Sequence, residues 1–295
     1  MRMPPSPQAP ASPDPAGHAR AFRDDGVVHI PGALTPREVA LVEQAYAWKM
    51  AHAGAWGSDI YPGTGARFFQ AKGDSSAEPA FRAMLMETRI ADIVAALFGS
   101  GPVWYLEEQL FYKEGGTAPT RRTPWHQDTS YQPMRGAKSA VVWIGLDRLP
   151  REQALEVVRG SHRGTVYNAT KFDPADDTAP FFADSGLPRL PDIEARRADW
   201  DIVAWPFAPG DLLVFHPSAL HGGGGTLPGG RRRSLTLRFV GDDTFKIDFP
   251  RTVAALQAQG EEAARISRPP SHLDRYWALP AGAPVSDACA MQVRA

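Results

Sequence analysis

The sequence predicts a mostly β chain decorated with helices, and three observations carry that reading. Short apolar or alternating runs recur from the middle of the chain onward, over 103–112, 139–146, 212–215 and 232–239. Turn residues punctuate them, as Pro209-Gly210-Asp211 does ahead of Leu212. Helix start and stop signals gather in the N-terminal third. Strand counting alone leaves the class open between all-β and α+β.

The first fifteen residues are rich in Pro, Ala and Ser and lack an apolar run. They read as a disordered tail, neither a secretory signal nor a membrane span, which leaves 16–295 as one expected domain. Order should begin near Asp14-Pro15-Ala16, where an N-cap is followed by proline at the first helical position. Thr35-Pro36-Arg37-Glu38 reads as a capping box opening a helix that turns Val39, Val42 and Tyr46 inward. Another helix should run over Ile90-Ala91-Asp92-Ile93-Val94-Ala95-Ala96-Leu97-Phe98 and stop at Gly99, a residue suited to the left-handed C-terminal cap.

The run 103–112 alternates, with Tyr105, Glu107 and Gln109 on one face and Trp104, Leu106, Leu110 and Tyr112 on the other. If the apolar face packs on helices, Gln109 lines an interior lumen; otherwise Glu107 and Gln109 meet water on an edge strand. Ala140-Val141-Val142-Trp143-Ile144 and Leu212-Leu213-Val214-Phe215 read as buried strands. In the strand opened by Arg232, apolar Leu235, Leu237 and Phe239 oppose Arg232, Ser234, Thr236 and Arg238. A face bearing guanidiniums ordinarily turns to solvent, and for Arg238 that reading stands evenly beside an interior one. A further helix is expected over 253–266, followed by a Pro-rich tail.

Composition narrows the function. The 295 residues carry 32 basic and 33 acidic side chains for a net charge of -1, and no basic run exceeds Arg231-Arg232-Arg233. A nucleic-acid partner is unsupported. The single cysteine, Cys289, excludes an intramolecular disulfide and a cysteine-based zinc cluster, and points to a reducing, cytoplasmic compartment.

The chemistry sits in Trp125-His126-Gln127-Asp128, where His126 and Asp128, two residues apart on one strand, face the same way. A second imidazole, His221, follows the strand ending at Phe215 and precedes a glycine run. Two imidazoles and one carboxylate make a facial triad that leaves one side of an octahedral Fe(II) open, the donor set of a non-haem iron oxygenase. Arg232, eleven residues beyond His221, supplies a planar fork suited to a carboxylate at the far end of the same pocket. His216, five residues before His221, could in principle supply the second imidazole instead, while His162, in a turn-rich loop, reads as structural.

These residues resemble the phytanoyl-CoA dioxygenase family of Fe(II)/2-oxoglutarate oxygenases. The likeness takes in Phe22-Arg23-Asp24-Asp25-Gly26, the His126-X-Asp128 motif, Gly160-Ser161-His162-Arg163, and His221 with Arg232. It implies a double-stranded β-helix, a jelly-roll or cupin-like barrel with the N-terminal helices packed on one sheet. It also implies that His126, Asp128 and His221 are the catalytic iron ligands and that Arg232 holds the distal carboxylate of 2-oxoglutarate. Gln109 and Trp143 match further co-substrate-binding positions. Several members have a serine two residues after the distal histidine, where this chain has Gly223.

The expected activity is a dioxygenase using Fe(II), 2-oxoglutarate and O2 to hydroxylate an unactivated carbon of a small molecule, with no membrane partner. Retention of Asp128 favours hydroxylation over halogenation. Two alternatives stand beside it: a cupin-like binding protein without turnover, and a metal-dependent hydrolase built on the same triad. Arg121-Arg122 could meet an acyl-CoA phosphate or simply face water. Tyr131, Trp56, Phe68 and Phe69 could line an apolar pocket or belong to the core.

Overall fold

Strands that read as continuously apolar are buried on both faces, and this explains how the layers stack. The structure, a computed structural model, describes residues 14–99, 101–182, 185–248 and 271–295. Four helices, α1 (Pro15–Asp25), α2 (Pro36–Ala51), α3 (Pro79–Glu87) and α4 (Ile90–Phe98), alternate with strands β1 (Val27–Ile30), β2 (Gly57–Asp59) and β3 (Arg67–Gly73). The rest of the large sheet comes from β4 (Val103–Glu114), β7 (Ser139–Gly145), β10 (Leu212–Phe215) and β12 (Arg231–Val240), in the order β1-β10-β7-β12-β4-β3-β2. A second sheet orders as β5 (Thr123–His126), β11 (His221–Gly223), β8 (Leu155–Val158) and β9 (Ile202–Val203). The short β6 (Met134–Arg135) pairs with β13 (Phe245–Lys246).

Alternate residues of one strand serve two cores. Ala140, Val142 and Ile144 of β7 and Leu212 and Val214 of β10 join Val42, Phe81 and Val94 of the helices. Their neighbours Val141, Trp143, Leu213 and Phe215 join Leu155 and Val157 of β8. The helices therefore cover the outer face of the large sheet, and the small sheet covers its inner face. This is a jelly roll of two facing sheets, and their hydrogen bonding does not close into a barrel.

Local signals act as the sequence predicts. Asp14 caps α1 through the Gly17 amide, the Thr35 and Glu38 box is complete, and Gly99 takes the left-handed cap of α4. No helix among the described residues is long and apolar enough to cross a membrane. The helix expected over 253–266 lies outside the described residues, as does nearly all of the expected N-terminal tail.

Two expectations need correction. The C-terminal segment is not a plain tail: α5 (Ser271–Ala278) packs Tyr276 into a small core, and β14 (Met291–Arg294) pairs with the start of β4. In β4 the alternation also breaks, because Arg238 opposes Glu107 while Phe239 opposes Tyr105. Leu106 is the extra residue of a β-bulge. Tyr105 therefore sits in the helix-side core, whereas Glu107 and Gln109 remain on the inner face.

Candidate metal centre

Antiparallel register brings the distant imidazoles together. His126 and His221 are direct partners across β5 and β11, with ring centroids 4.1 Å apart. Asp128 does not lie on β5, as the sequence suggested; the strand ends at His126 and Asp128 opens a 3-10 turn. The two-residue parity survives because Gln127 keeps an extended backbone, φ -121 and ψ 132. Gln127 turns away from the site and ties loops together, donating to the Thr165 and Ser218 carbonyls and accepting from the Tyr167 amide.

One ligand atom from each of His126, Asp128 and His221 lies within 4.8 Å of the others. Asp128 Oδ1 stands 3.7 Å from His126 Nε2 and 3.8 Å from His221 Nε2. Each ring presents Nε2 for the same reason: Nδ1 of His126 donates to the Pro124 carbonyl at 2.8 Å, and Nδ1 of His221 to the Ala219 carbonyl at 2.9 Å. A carbonyl on Nδ1 sets the tautomer and leaves the Nε2 lone pair for a metal. Burial, followed by the adjacent His221, pushes His126 down to about 3, and burial lowers His221 as well. Both rings are neutral. Burial works against the charged form of Asp128, but the Arg238 guanidinium holds its carboxyl well below the usual range. The donor set fits a divalent cation: two neutral nitrogens and one anionic oxygen, all facing one point.

The inner face of β12 continues the site. Arg232, Ser234, Thr236 and Arg238 are all buried. Arg238 follows the interior reading and not the solvent one; the helices take the apolar face of β12, so its polar face turns between the sheets. Arg232 donates Nη1 to the Gln153 carbonyl at 3.1 Å. Its Nε, Ser234 Oγ and Thr236 Oγ1 are buried without a hydrogen-bond partner among the described residues. Burial alone lowers the Arg232 guanidinium to about 10. Trp143 lies beside it, with the Arg232 Cζ 5.8 Å from the ring centroid. Gln109 is on the same inner face, accepting from Arg238 Nη2 at 3.1 Å and donating to Gln70 at 2.7 Å.

Lys113, unremarked in the sequence, lies opposite Arg232 in the β4 and β12 register. Its ammonium donates to the Gly224 carbonyl, Thr123 Oγ1 and the Arg121 carbonyl. Burial and the nearby Arg232 push it well below the ordinary lysine range. Gly223 has φ +87 and a Cβ there would meet the Glu156 side chain at 3.0 Å, so a serine would be strained and crowded. Gly224 lies against Arg232: a Cβ there would fall 1.6 Å from the Arg232 Nη1.

The competing histidines are occupied. His216 accepts from the Ser218 amide and donates Nε2 to the Gly136 carbonyl, and His162 bonds to the Arg23 carbonyl. His29 pairs with Asp211 against the Trp205 ring. Arg121 pairs with Asp177, and Arg122 with Glu156 and Glu194, so neither guanidinium is left without an acid. Of the aromatic candidates, Tyr131 flanks His126 at 6.1 Å and Phe68 carries the Lys113 ammonium over its ring. Phe69 instead packs on the helix-side core, and Trp56 ends the turn before β2. Phe172, which the sequence reading missed, approaches the His126 ring to 5.4 Å from a backbone at φ 56.

A double-sheet fold that turns two imidazoles and one carboxylate toward a shared point defines the class of facial-triad oxygenases. Within it the chain belongs to the phytanoyl-CoA dioxygenase family, whose model matches residues 22–234, and that is a family of Fe/2-oxoglutarate-dependent oxygenases. A probable phytanoyl-CoA dioxygenase of Caenorhabditis elegans is 28% identical over 131 residues, covering 42% of this chain and 38% of that protein. The peroxisomal phytanoyl-CoA dioxygenase of Homo sapiens is 27% identical over 133 residues, covering 44% and 36%. The chain thus spans less than two fifths of the length of these relatives.

Among solved structures, the epimerase SnoN in complex with Fe3+, alpha ketoglutarate and nogalamycin RO superposes with a TM-score of 0.61 at 21% identity, over 92% of this chain and 94% of that one. The carbocyclase SnoK from nogalamycin biosynthesis gives 0.60 at 19%, over 91% and 92%. EctD from S. alaskensis gives 0.57 at 21%, over 80% and 79%. These likenesses are in fold.

Proposed function

We propose that this chain is an Fe(II)- and 2-oxoglutarate-dependent dioxygenase that hydroxylates a carbon of a small-molecule substrate, with succinate and CO2 as coproducts. The observation that carries the reading is the inner face of β12. A buried guanidinium with an unmatched Nε begins a row of polar atoms, unpartnered among the described residues, that leads toward the triad. Such a row suits a small dicarboxylate reaching from Arg232 to the metal position, since buried polar groups are ordinarily satisfied.

Each residue has a task in this scheme. His126, His221 and Asp128 Oδ1 would hold the ion on one side, leaving the other for co-substrate and O2. When bound, iron supplies oxidative decarboxylation of the co-substrate and removal of a substrate hydrogen. Arg232 would hold the distal carboxylate, with the Trp143 ring excluding water from one side of the guanidinium. Tyr131 and Phe172 flank His126 where a substrate carbon would lie. A hydrolase would need a free general base near the triad, and Glu107 is already engaged by Arg238 and Gln132. The fold itself hosts several outcomes, as the names epimerase and carbocyclase of its structural neighbours attest.

The test is anaerobic addition of Fe(II) and 2-oxoglutarate, followed by exposure to air. A weak visible charge-transfer band and subsequent succinate release support the reading. Full metal loading with neither signal overturns it.

A further inference from the structure

Arg238 lies past the segment that the family model matches, and its contacts are unlike those of Arg232. Both Nε, at 3.1 Å, and Nη2, at 2.7 Å, donate to the same oxygen of Asp128, Oδ2. An arginine fork facing a carboxylate ordinarily takes one oxygen with each arm. Here both arms close on one oxygen, and the other, Oδ1, is the atom that faces His126 and His221.

The guanidinium is itself fixed from the other side. Glu107 Oε1 lies 3.2 Å from Nη1 and Gln109 Oε1 accepts from Nη2. Glu107 also accepts from Gln132 Nε2 at 2.9 Å, which ties the clamp to the turn carrying Asp128. The β4 bulge puts Glu107 opposite Arg238 on the inner face.

We infer that Arg238 is the positioning residue of the metal-binding carboxylate. It reserves Oδ2, so that Asp128 offers one oxygen to the ion and cannot swing round to offer two. This rests on the metal-site reading above. An unrestrained carboxylate would either leave the triad or occupy a second coordination position.

The experiment is a double-mutant cycle on Mn(II) affinity, read from the free-ion EPR signal and needing no turnover. Arg238→Lys keeps the charge and loses the fork, so it isolates geometry from electrostatics. We expect its Mn(II) Kd to rise roughly tenfold or more, the usual consequence of losing a group that orients a ligand. In an Asp128→Asn background, where the ligand is already lost, the same substitution should change Kd by less than about threefold. Equal losses in both backgrounds would overturn the inference, because Arg238 would then act through the fold at large. An unchanged or tighter Kd for Arg238→Lys would overturn it too. Should Arg238→Lys lack the near-UV CD of the folded chain, Arg238→Gln in a Glu107→Gln background replaces it in the same cycle, with Glu107→Gln as reference. A wild-type chain that binds no Mn(II) would overturn the metal-site reading and this inference with it.

Discussion

Replacing Arg232 with methionine should move stability and co-substrate affinity in opposite directions. The guanidinium is 2% exposed, has one hydrogen bond among the described residues, to the Gln153 carbonyl, and burial holds it at about 10 instead of the usual 12.5. A depression of that size means the charge costs the folded chain on the order of 3 kcal/mol at neutral pH. Methionine removes this cost, while orphaning the Gln153 carbonyl returns about 1 kcal/mol of it and lost packing some more. The net expectation for the apo protein is a Tm that is unchanged or raised by a few degrees. Affinity should go the other way. A charge-assisted hydrogen bond contributes about 1.5–3 kcal/mol, so losing the fork should raise the 2-oxoglutarate Kd at least roughly tenfold to hundredfold. Isothermal titration of the Mn(II)-loaded protein measures this without a substrate. Arg232→Lys should fail similarly, since it sets a second ammonium beside Lys113 in a buried site that already lowers lysine basicity. A fall in Tm together with unchanged 2-oxoglutarate affinity would refute the argument and make Arg232 a structural residue.

His126→Ala or His221→Ala should abolish measurable Mn(II) binding in a titration, whereas His216→Ala should leave the Mn(II) Kd within about threefold of wild type. Loss of binding in His216→Ala alone would move the distal ligand. Gly224→Ala places a methyl where Arg232 Nη1 lies, so it should raise the 2-oxoglutarate Kd roughly tenfold while leaving Mn(II) affinity intact; equal effects on both would refute a local displacement. The pH dependence follows from His216, which burial pushes down to about 4. Its folded form binds fewer protons than the unfolded chain between that value and the ordinary 6.5, so stability falls as pH drops through this window, by at most about 3 kcal/mol. His216→Asn should flatten that part of the Tm profile, and an identical slope in both proteins would remove His216 as the cause.

The triad and the place of Arg232 were legible because each rests on a local signal. His126 and Asp128 sit at a two-residue spacing that survives the end of β5, and Arg232 lies at the start of β12, eleven residues after His221. Gln109 was legible only conditionally, since its face depended on which side the helices would take. Arg238 was not, because alternation says that two faces differ without saying which one meets water. In a single sheet the charged face is the wet one. In two facing sheets with helices outside, it becomes the lining. The bulge at Leu106 was hidden for a related reason: an extra residue in one strand is visible only against its partner, and here the partner is Arg238 and Phe239.

The same contacts bear on how the site exists before any ion arrives. Asp128 is 8% exposed and its neighbouring imidazoles are neutral, so neither ring can answer its charge. A carboxylate buried with no cation would take a proton or unfold its turn. Arg238 prevents both, and because it closes on Oδ2 alone it does so without occupying the oxygen that the ion needs. Glu107 then answers the guanidinium from the other side. Replacing such a buried set with apolar residues is often neutral or stabilising, which makes stability alone a weak reason for the chain to hold it. Orientation is the stronger reason, since a ligand fixed before binding spares the ion the cost of ordering it.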